Sequence, residues 1–200
     1  MIKTILFDVD GVLATGEPFS AYLAREHGIT KEMTAAFFAG PFLECLVGRA
    51  DLKQAIAGYL PQWGWRWSLE EFIGRWFDYE HQVNEPLIEV IQRLRRQGIP
   101  CYLATNQEKY RTAYILNEMG FADKSDGIFS SAHIGYMKHH PAFFEAVLQQ
   151  LADIQAKDVL FWDDSPVNIA TAREVGMQAE LYQNFTDFMQ KLHLVLKQSL

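Results

Sequence analysis

Apolar positions change their period along this chain. Ile2 to Phe7 is an apolar run that predicts a buried strand. After Leu13 the spacing becomes helical: Phe19, Tyr22 and Leu23 share one face, and Gly28 ends that helix. From Lys31 to Tyr79 the spacing stays helical and aromatic, with Gly40-Pro41 and Pro61 as breaks. Ser68 is the expected N-cap of a helix carrying Leu69, Phe72, Ile73, Trp76 and Phe77, with Glu71 as its capping-box partner. No strand pattern occurs in this region.

From Asn84 the rhythm is regular. Asn84 is the expected cap of a helix with Pro86 in its first turn, ending at Gly98. Four more strands are expected at Ile99–Ala104, Ile128–Ser130, Val159–Trp162 and Gln178–Tyr182, separated by helices. A last helix carries Phe185, Phe188, Met189, Leu192, Val195 and Leu196. Such alternation predicts an α/β fold: a Rossmann-like three-layer core around a parallel sheet, with an inserted all-helical cap. Residues 1–14 and 84–200 are assigned to the core domain and 15–83 to the cap.

In parallel sheets ligands bind outside the carboxyl ends of the strands. Polar residues stand there in three places: Asp8 and Asp10, Thr105 and Asn106, Asp163 and Asp164. An Asp-x-Asp-Gly sequence can be a turn and nothing more. At the end of a buried strand it is costly unless its charge is compensated, and a magnesium ion held by two or three oxygens would do so. Lys138 adds positive charge near the Pro141 helix, Thr105 offers a hydroxyl, and backbone N–H groups near Val9, Asp10 and Asn106 could face an anion. Together they could seat a phosphoryl group. One carboxylate could then attack phosphorus while its neighbour serves as general acid and base.

Composition narrows the classes. The chain has 200 residues, 49% hydrophobic and 22% charged, enough for a packed core. A formal net charge of -7 argues against general nucleic-acid binding, which needs a basic surface. Two cysteines, Cys45 and Cys101, suit core positions in a reducing compartment. With no signal-peptide pattern and no run of transmembrane length, a cytoplasmic protein away from the membrane is expected. The sequence leaves the oligomeric state open.

Four motifs in order resemble the haloacid dehalogenase superfamily, in its phosphatase branch with a small helical cap after the first strand. They are Phe7-Asp8-Val9-Asp10-Gly11-Val12-Leu13, Leu103-Ala104-Thr105-Asn106, Lys138 followed by Pro141-Ala142-Phe143-Phe144, and Phe161-Trp162-Asp163-Asp164-Ser165-Pro166-Val167-Asn168-Ile169. The resemblance implies that Asp8 is the nucleophile and Asp10 the general acid and base. Thr105, Asn106 and Lys138 would bind phosphate. Magnesium would be held by the Asp8 carboxylate, the Asp10 backbone carbonyl and a motif-four carboxylate, with Asp164 favoured as direct ligand and Asp163 behind it. The implied reaction is hydrolysis of a small phosphomonoester, a sugar phosphate or nucleotide-like phosphate by family frequency, through an aspartyl-phosphate. A phosphomutase is the alternative, and a non-catalytic binding protein a further one.

One departure is visible. Where this branch usually has Lys-Pro-x-Pro, the chain reads Lys138-His139-His140-Pro141. The two histidines are either drift on an exposed turn, or one of them touches the leaving group or tunes Lys138. In the cap, Arg49 is either a surface residue or an anion contact. Trp63, Trp65 and Trp67 either pin a loop to the cap helices or form a dimer contact, or they stack on a sugar, a base or a flat ring.

Overall fold

Five strands form one parallel sheet in the computed structural model, which describes residues 1–151 and 153–197; residues 152 and 198–200 of the expected core segment lie outside the described residues. The strands are β1 (Thr4–Phe7), β2 (Cys101–Thr105), β3 (Ile128–Ser130), β4 (Val159–Asp163) and β5 (Gln178–Leu181). Their order is β3-β2-β1-β4-β5, all pairs parallel. The chain therefore reverses its direction of travel across the sheet beside β1, where Phe7 pairs with Leu103 on one side and Trp162 on the other. That switch point is the crevice in which a ligand can reach backbone from both directions.

Both faces of the sheet are covered, which is why its central strands are apolar throughout. Ile5, Phe7, Leu160 and Trp162 face a core shared with Leu87 and Ile91. Leu6, Val159 and Phe161 face the opposite core, with Phe143, Phe144 and Val147. Cys101 is buried at the start of β2, and Cys45 is buried among the inserted helices, both as free thiols.

The strand ends differ from the sequence reading by a residue or two. Pro100 has no N–H to give the ladder, so β2 begins at Cys101 rather than Ile99. Thr105 and Asp163 remain paired through their backbones, with Thr105 opposite Ser130 and the Asp163 carbonyl accepting from the Tyr182 N–H at 2.9 Å.

Helices Phe19–His27, Lys31–Phe38, Pro41–Leu46, Leu52–Ala57 and Leu69–Tyr79 occupy the insertion, with no strand among its described residues. They share a core of Phe19, Phe37, Ile56, Phe72 and Phe77. Trp63 and Trp65 are 4% and 5% exposed inside it, and the Trp65 Nε1–H donates to the Ser68 carbonyl at 3.1 Å. Trp67 is exposed, with the Arg75 guanidinium over its ring. Two of the three tryptophans are therefore packing residues.

The capping box is half formed: Ser68 Oγ accepts from the Glu71 N–H at 3.0 Å, but the Glu71 carboxylate is taken by Arg75. Asn84 does not cap the Glu85–Arg96 helix with its side chain. Instead its Nδ2 donates to the Val12 carbonyl and the Tyr182 hydroxyl, each at 3.0 Å. These bonds join the two crossings between sheet and insertion, where the Thr15 N–H also donates to Gln82 and the Asn84 N–H to Leu13. Among the described residues no helix is long and apolar enough to cross a membrane.

Candidate active site

The polar ends of β1, β2 and β4 meet around a cavity of about 700 Å³ at the switch point. Asp8, Asp10, Thr105, Asn106, Lys138 and Asp164 line it, and Asp163 lies buried behind.

Asp8 follows β1 directly, and its backbone N–H continues the pairing with β4 by donating to the Trp162 carbonyl at 2.9 Å. Its Oδ1 accepts from the Val9 N–H at 2.7 Å and stands 2.5 Å from Lys138 Nζ. Both of these partners fall on Oδ1. The other side of the ammonium lies 2.7 Å from Asp163 Oδ2. Lys138 is thus a buried cation between two buried carboxylates. Its position is fixed from just beyond β2, where Asn106 Oδ1 accepts the Lys138 backbone N–H at 2.9 Å.

Asp163 has little freedom left. Its Oδ1 accepts from the Ser165 N–H at 2.7 Å, and both of its oxygens accept from Asn168 Nδ2 at 3.1 Å. Asp164, one residue on, is exposed to the cavity beside Gly11. The fit there is close: Gly11 has φ +83°, and a Cβ added to it would lie 2.1 Å from Asp164 Oδ2. Only glycine meets both the left-handed backbone and that contact.

The electrostatics show surplus negative charge. Burial, with help from Asp163 and Asp10, pushes the Asp8 carboxyl up to about 8 despite the opposing pull of Lys138. Burial and Asp163 raise Asp164. Burial alone would lower Lys138, but Asp8 and Asp163 outweigh it and hold the ammonium charged. Oxygens of Asp8, Asp163 and Asp164 all lie within 4.8 Å of one another. Three convergent carboxylates, with the ionisation of Asp8 and Asp164 disfavoured, suit a hard divalent cation. Asp163 is already committed to Lys138 and Asn168, so Asp8 and Asp164 are the better-placed carboxylates.

Asp10 points elsewhere. Its Oδ2 accepts a short hydrogen bond from Gln107 Nε2, and its carboxylate is not one of the three that converge. Gln107 is buried immediately after Thr105-Asn106, yet the sequence reading did not single it out. Asn168 stands within the fourth motif, where the sequence alone gives it no role. Glu80, at the far end of the inserted helices, also lines the cavity. Burial raises its carboxyl, while the Phe19 N–H opposes that shift. No local signal marked Glu80, because only the return of the inserted helix brings it here.

Of the two histidines, His139 lines the cavity, while His140 caps the Pro141–Gln150 helix by accepting from the Ala142 N–H and stacks on Tyr136. Arg49 is exposed, 3.7 Å from Glu44, and does not line the cavity.

A family model for haloacid dehalogenase-like hydrolases matches residues 2–176. A sesquiterpene phosphatase of Aspergillus oryzae is 36% identical over 92 residues, 46% of this chain and 46% of its own length. A D-ribitol-5-phosphate phosphatase of Bacteroides thetaiotaomicron is 23% identical over 206 residues, 98% of this chain and 99% of its own. The chain spans less than half the length of the first curated relatives it matches, 46% for the sesquiterpene phosphatase and 39% for the bifunctional epoxide hydrolase 2 of Mus musculus. A HAD-like family hydrolase of Porphyromonas gingivalis shares the fold with TM-score 0.82 at 19% identity, over 98% of both chains. A HAD family enzyme of Bacteroides thetaiotaomicron, in complex with magnesium and inorganic phosphate, superposes with TM-score 0.77 at 20% identity, over 92% of this chain and 95% of that one.

Proposed function

The chain belongs to the haloacid dehalogenase-like hydrolase family, and on that premise we propose that it is a magnesium-dependent phosphatase that hydrolyses a small phosphomonoester through a phosphoryl group carried on Asp8. The observation that carries this reading is the Asp8–Lys138–Asp163 triad beside Asp164, with Asp10 held separately by Gln107. It supplies a fixed nucleophile and an independent proton carrier in one cavity. The whole-length relative named for D-ribitol 5-phosphate supports phosphomonoester chemistry.

Magnesium would be held by the Asp8 and Asp164 carboxylates and the Asp10 backbone carbonyl; when bound it supplies positive charge that draws a phosphate dianion to a carboxylate nucleophile. The residues do the rest. Lys138 and the Val9 N–H fix Asp8 through Oδ1, which leaves Oδ2 to attack phosphorus. Thr105, Asn106 and Lys138 orient the phosphoryl oxygens. As the Asp8–phosphorus bond forms and the ester bond breaks, Asp10 gives its proton to the departing alcohol oxygen. Asp10 then takes a proton from water, the water oxygen bonds to phosphorus, and the Asp8–phosphorus bond breaks to release inorganic phosphate. Gln107 keeps the Asp10 carboxylate turned away from the other three throughout.

We further assign residues 15–83 as a cap that bounds the cavity through Gly16, Pro18 and Glu80. A wall of this kind excludes bulk water and selects the alcohol portion of the ester. Rapid acid quench tests the chemical step: phosphate should be recovered covalently on the peptide that holds Asp8. Turnover with no phosphate on that peptide would refute the covalent route.

A further inference from the structure

The inserted helices contain a second cavity that opens beside the first. It measures about 330 Å³ and is lined by Phe19, Leu23, Ala35, Phe38 and Trp76. Pro18 and Glu80 belong to its wall and to the wall of the active-site cavity. We propose that the substrate is the phosphate ester of an apolar alcohol, whose hydrocarbon tail passes Pro18 and Glu80 into this pocket. The inference rests on the phosphatase reading above and names its substrate class.

Adjacency gives the direction. A phosphoryl group beside Asp8 places its ester oxygen in the larger cavity, and the second pocket lies against that cavity at Pro18 and Glu80. Chemistry then decides what can follow. Both carboxylate oxygens at the junction already hold a hydrogen bond from within the insertion. Glu80 Oε1 accepts from the Phe19 N–H, and Glu80 Oε2 accepts from the Trp76 Nε1–H, both at 2.9 Å. Thr34, also in the wall, turns its hydroxyl to the Lys31 carbonyl of its own helix at 3.2 Å. Ser20 and exposed Lys31 complete the polar part of the wall, but along Phe19, Leu23, Ala35, Phe38 and Trp76 a polyol or sugar would leave water for few replacement hydrogen bonds, a loss that disfavours it. A hydrocarbon gives up nothing.

The shape suits a chain. Phe19 and Trp76 lie parallel, with centroids 6.2 Å apart and 9° between planes, and Phe38 meets Trp76 edge-on at 5.7 Å. Phe38 and Trp76 are only half-buried, so a tail would cover apolar surface that the fold leaves wet. At about 30 Å³ for each water-sized group, the pocket takes roughly ten methylenes. The sugar or nucleotide-like substrate expected from family frequency rests on no residue of this chain, whereas the apolar walls are residues of its insertion.

The test is a chain-length series of alkyl phosphates, ethyl to dodecyl, with D-ribitol 5-phosphate as the polyol control and magnesium present. The expected kcat/KM rises about fourfold per methylene and levels off near ten carbons. D-ribitol 5-phosphate should fall at least a hundredfold below decyl phosphate. Ala35→Trp, on an exposed helix position, should narrow the pocket and lower the decyl-to-ethyl ratio of kcat/KM at least tenfold. A flat series, or preference for the polyol, overturns the inference. Calorimetry with alkylphosphonates separates it from the phosphatase reading. Decylphosphonate binding no tighter than ethylphosphonate overturns the tail pocket, whatever the turnover. A strong decyl preference with no phosphate released from any ester supports the pocket and overturns the phosphatase reading.

Discussion

Lys138 Nζ stands 2.5 Å from Asp8 Oδ1, with both side chains buried. The same ammonium satisfies Asp163 on its other side. Removing it leaves two carboxylates out of water with one cation fewer, a change that typically costs about 3–5 kcal/mol. Lys138→Met is therefore expected to lower the urea midpoint of the chelated protein sharply and to abolish turnover. A variant with unchanged midpoint would show that the buried charges are balanced some other way.

Gly11 and Asp164 are matched in space. Gly11→Ala meets a left-handed backbone, worth about 1–2 kcal/mol, and pushes Asp164 from its place. Weaker magnesium binding is expected together with reduced stability. Magnesium titration by calorimetry and urea denaturation read the two effects separately. Wild-type magnesium affinity in the variant would remove Asp164 from the ligand set.

Gln107 positions Asp10. A hydrogen bond to a charged group is worth about 1.5–3 kcal/mol, so Gln107→Leu should lower kcat roughly ten- to a hundredfold. KM should change little, because the lost contact serves proton transfer and not binding. Steady-state kinetics decide it: a change in KM alone would mean that Gln107 touches substrate instead.

Magnesium binding should depend on pH. Without the metal, burial pushes the Asp8 carboxyl up to about 8 against the pull of Lys138, so protonation competes with metal binding below that pH. A protonated carboxyl is a poor ligand, so binding must expel that proton. Apparent affinity is expected to rise as pH goes from about 5 to 8 and to level off above. The sign for stability is the reverse in the chelated protein. A carboxyl whose folded value is raised stabilises below its ordinary value near 3.8 and loses that contribution as pH rises towards 8. Added magnesium should therefore raise the melting temperature more at pH 8 than at pH 5. Calorimetry in two buffers of different ionisation heat measures the released proton, and equal affinity at both pH values would contradict the assignment.

The fold was legible because burial on both faces makes β1 and β4 apolar runs that stop at carboxylates. The seven residues that the sequence singles out for the site stand out for the same reason: each ends or follows a strand or, like Lys138, precedes a helix that begins with proline. What stayed hidden was tertiary. Glu80 reaches the cavity only because the insertion returns beside Ala14, and Gln107 matters only because Asp10 turns towards it. Asn84 reads locally as a helix cap, yet its amide is drawn to Val12 and Tyr182 across the junction. The tryptophan cluster shows the same limit, since alternation along the sequence cannot tell that Trp63 and Trp65 turn inward and Trp67 outward.

Asp8 is the proposed nucleophile of magnesium-dependent phosphate-ester hydrolysis. The most direct measurement is release of inorganic phosphate from a panel of phosphomonoesters by the wild-type protein and by Asp8→Asn, each with magnesium and with chelator. Turnover is expected only from the wild type with magnesium, and the variant should fall to background while keeping its fold. Near-normal phosphate release from Asp8→Asn would contradict the claim.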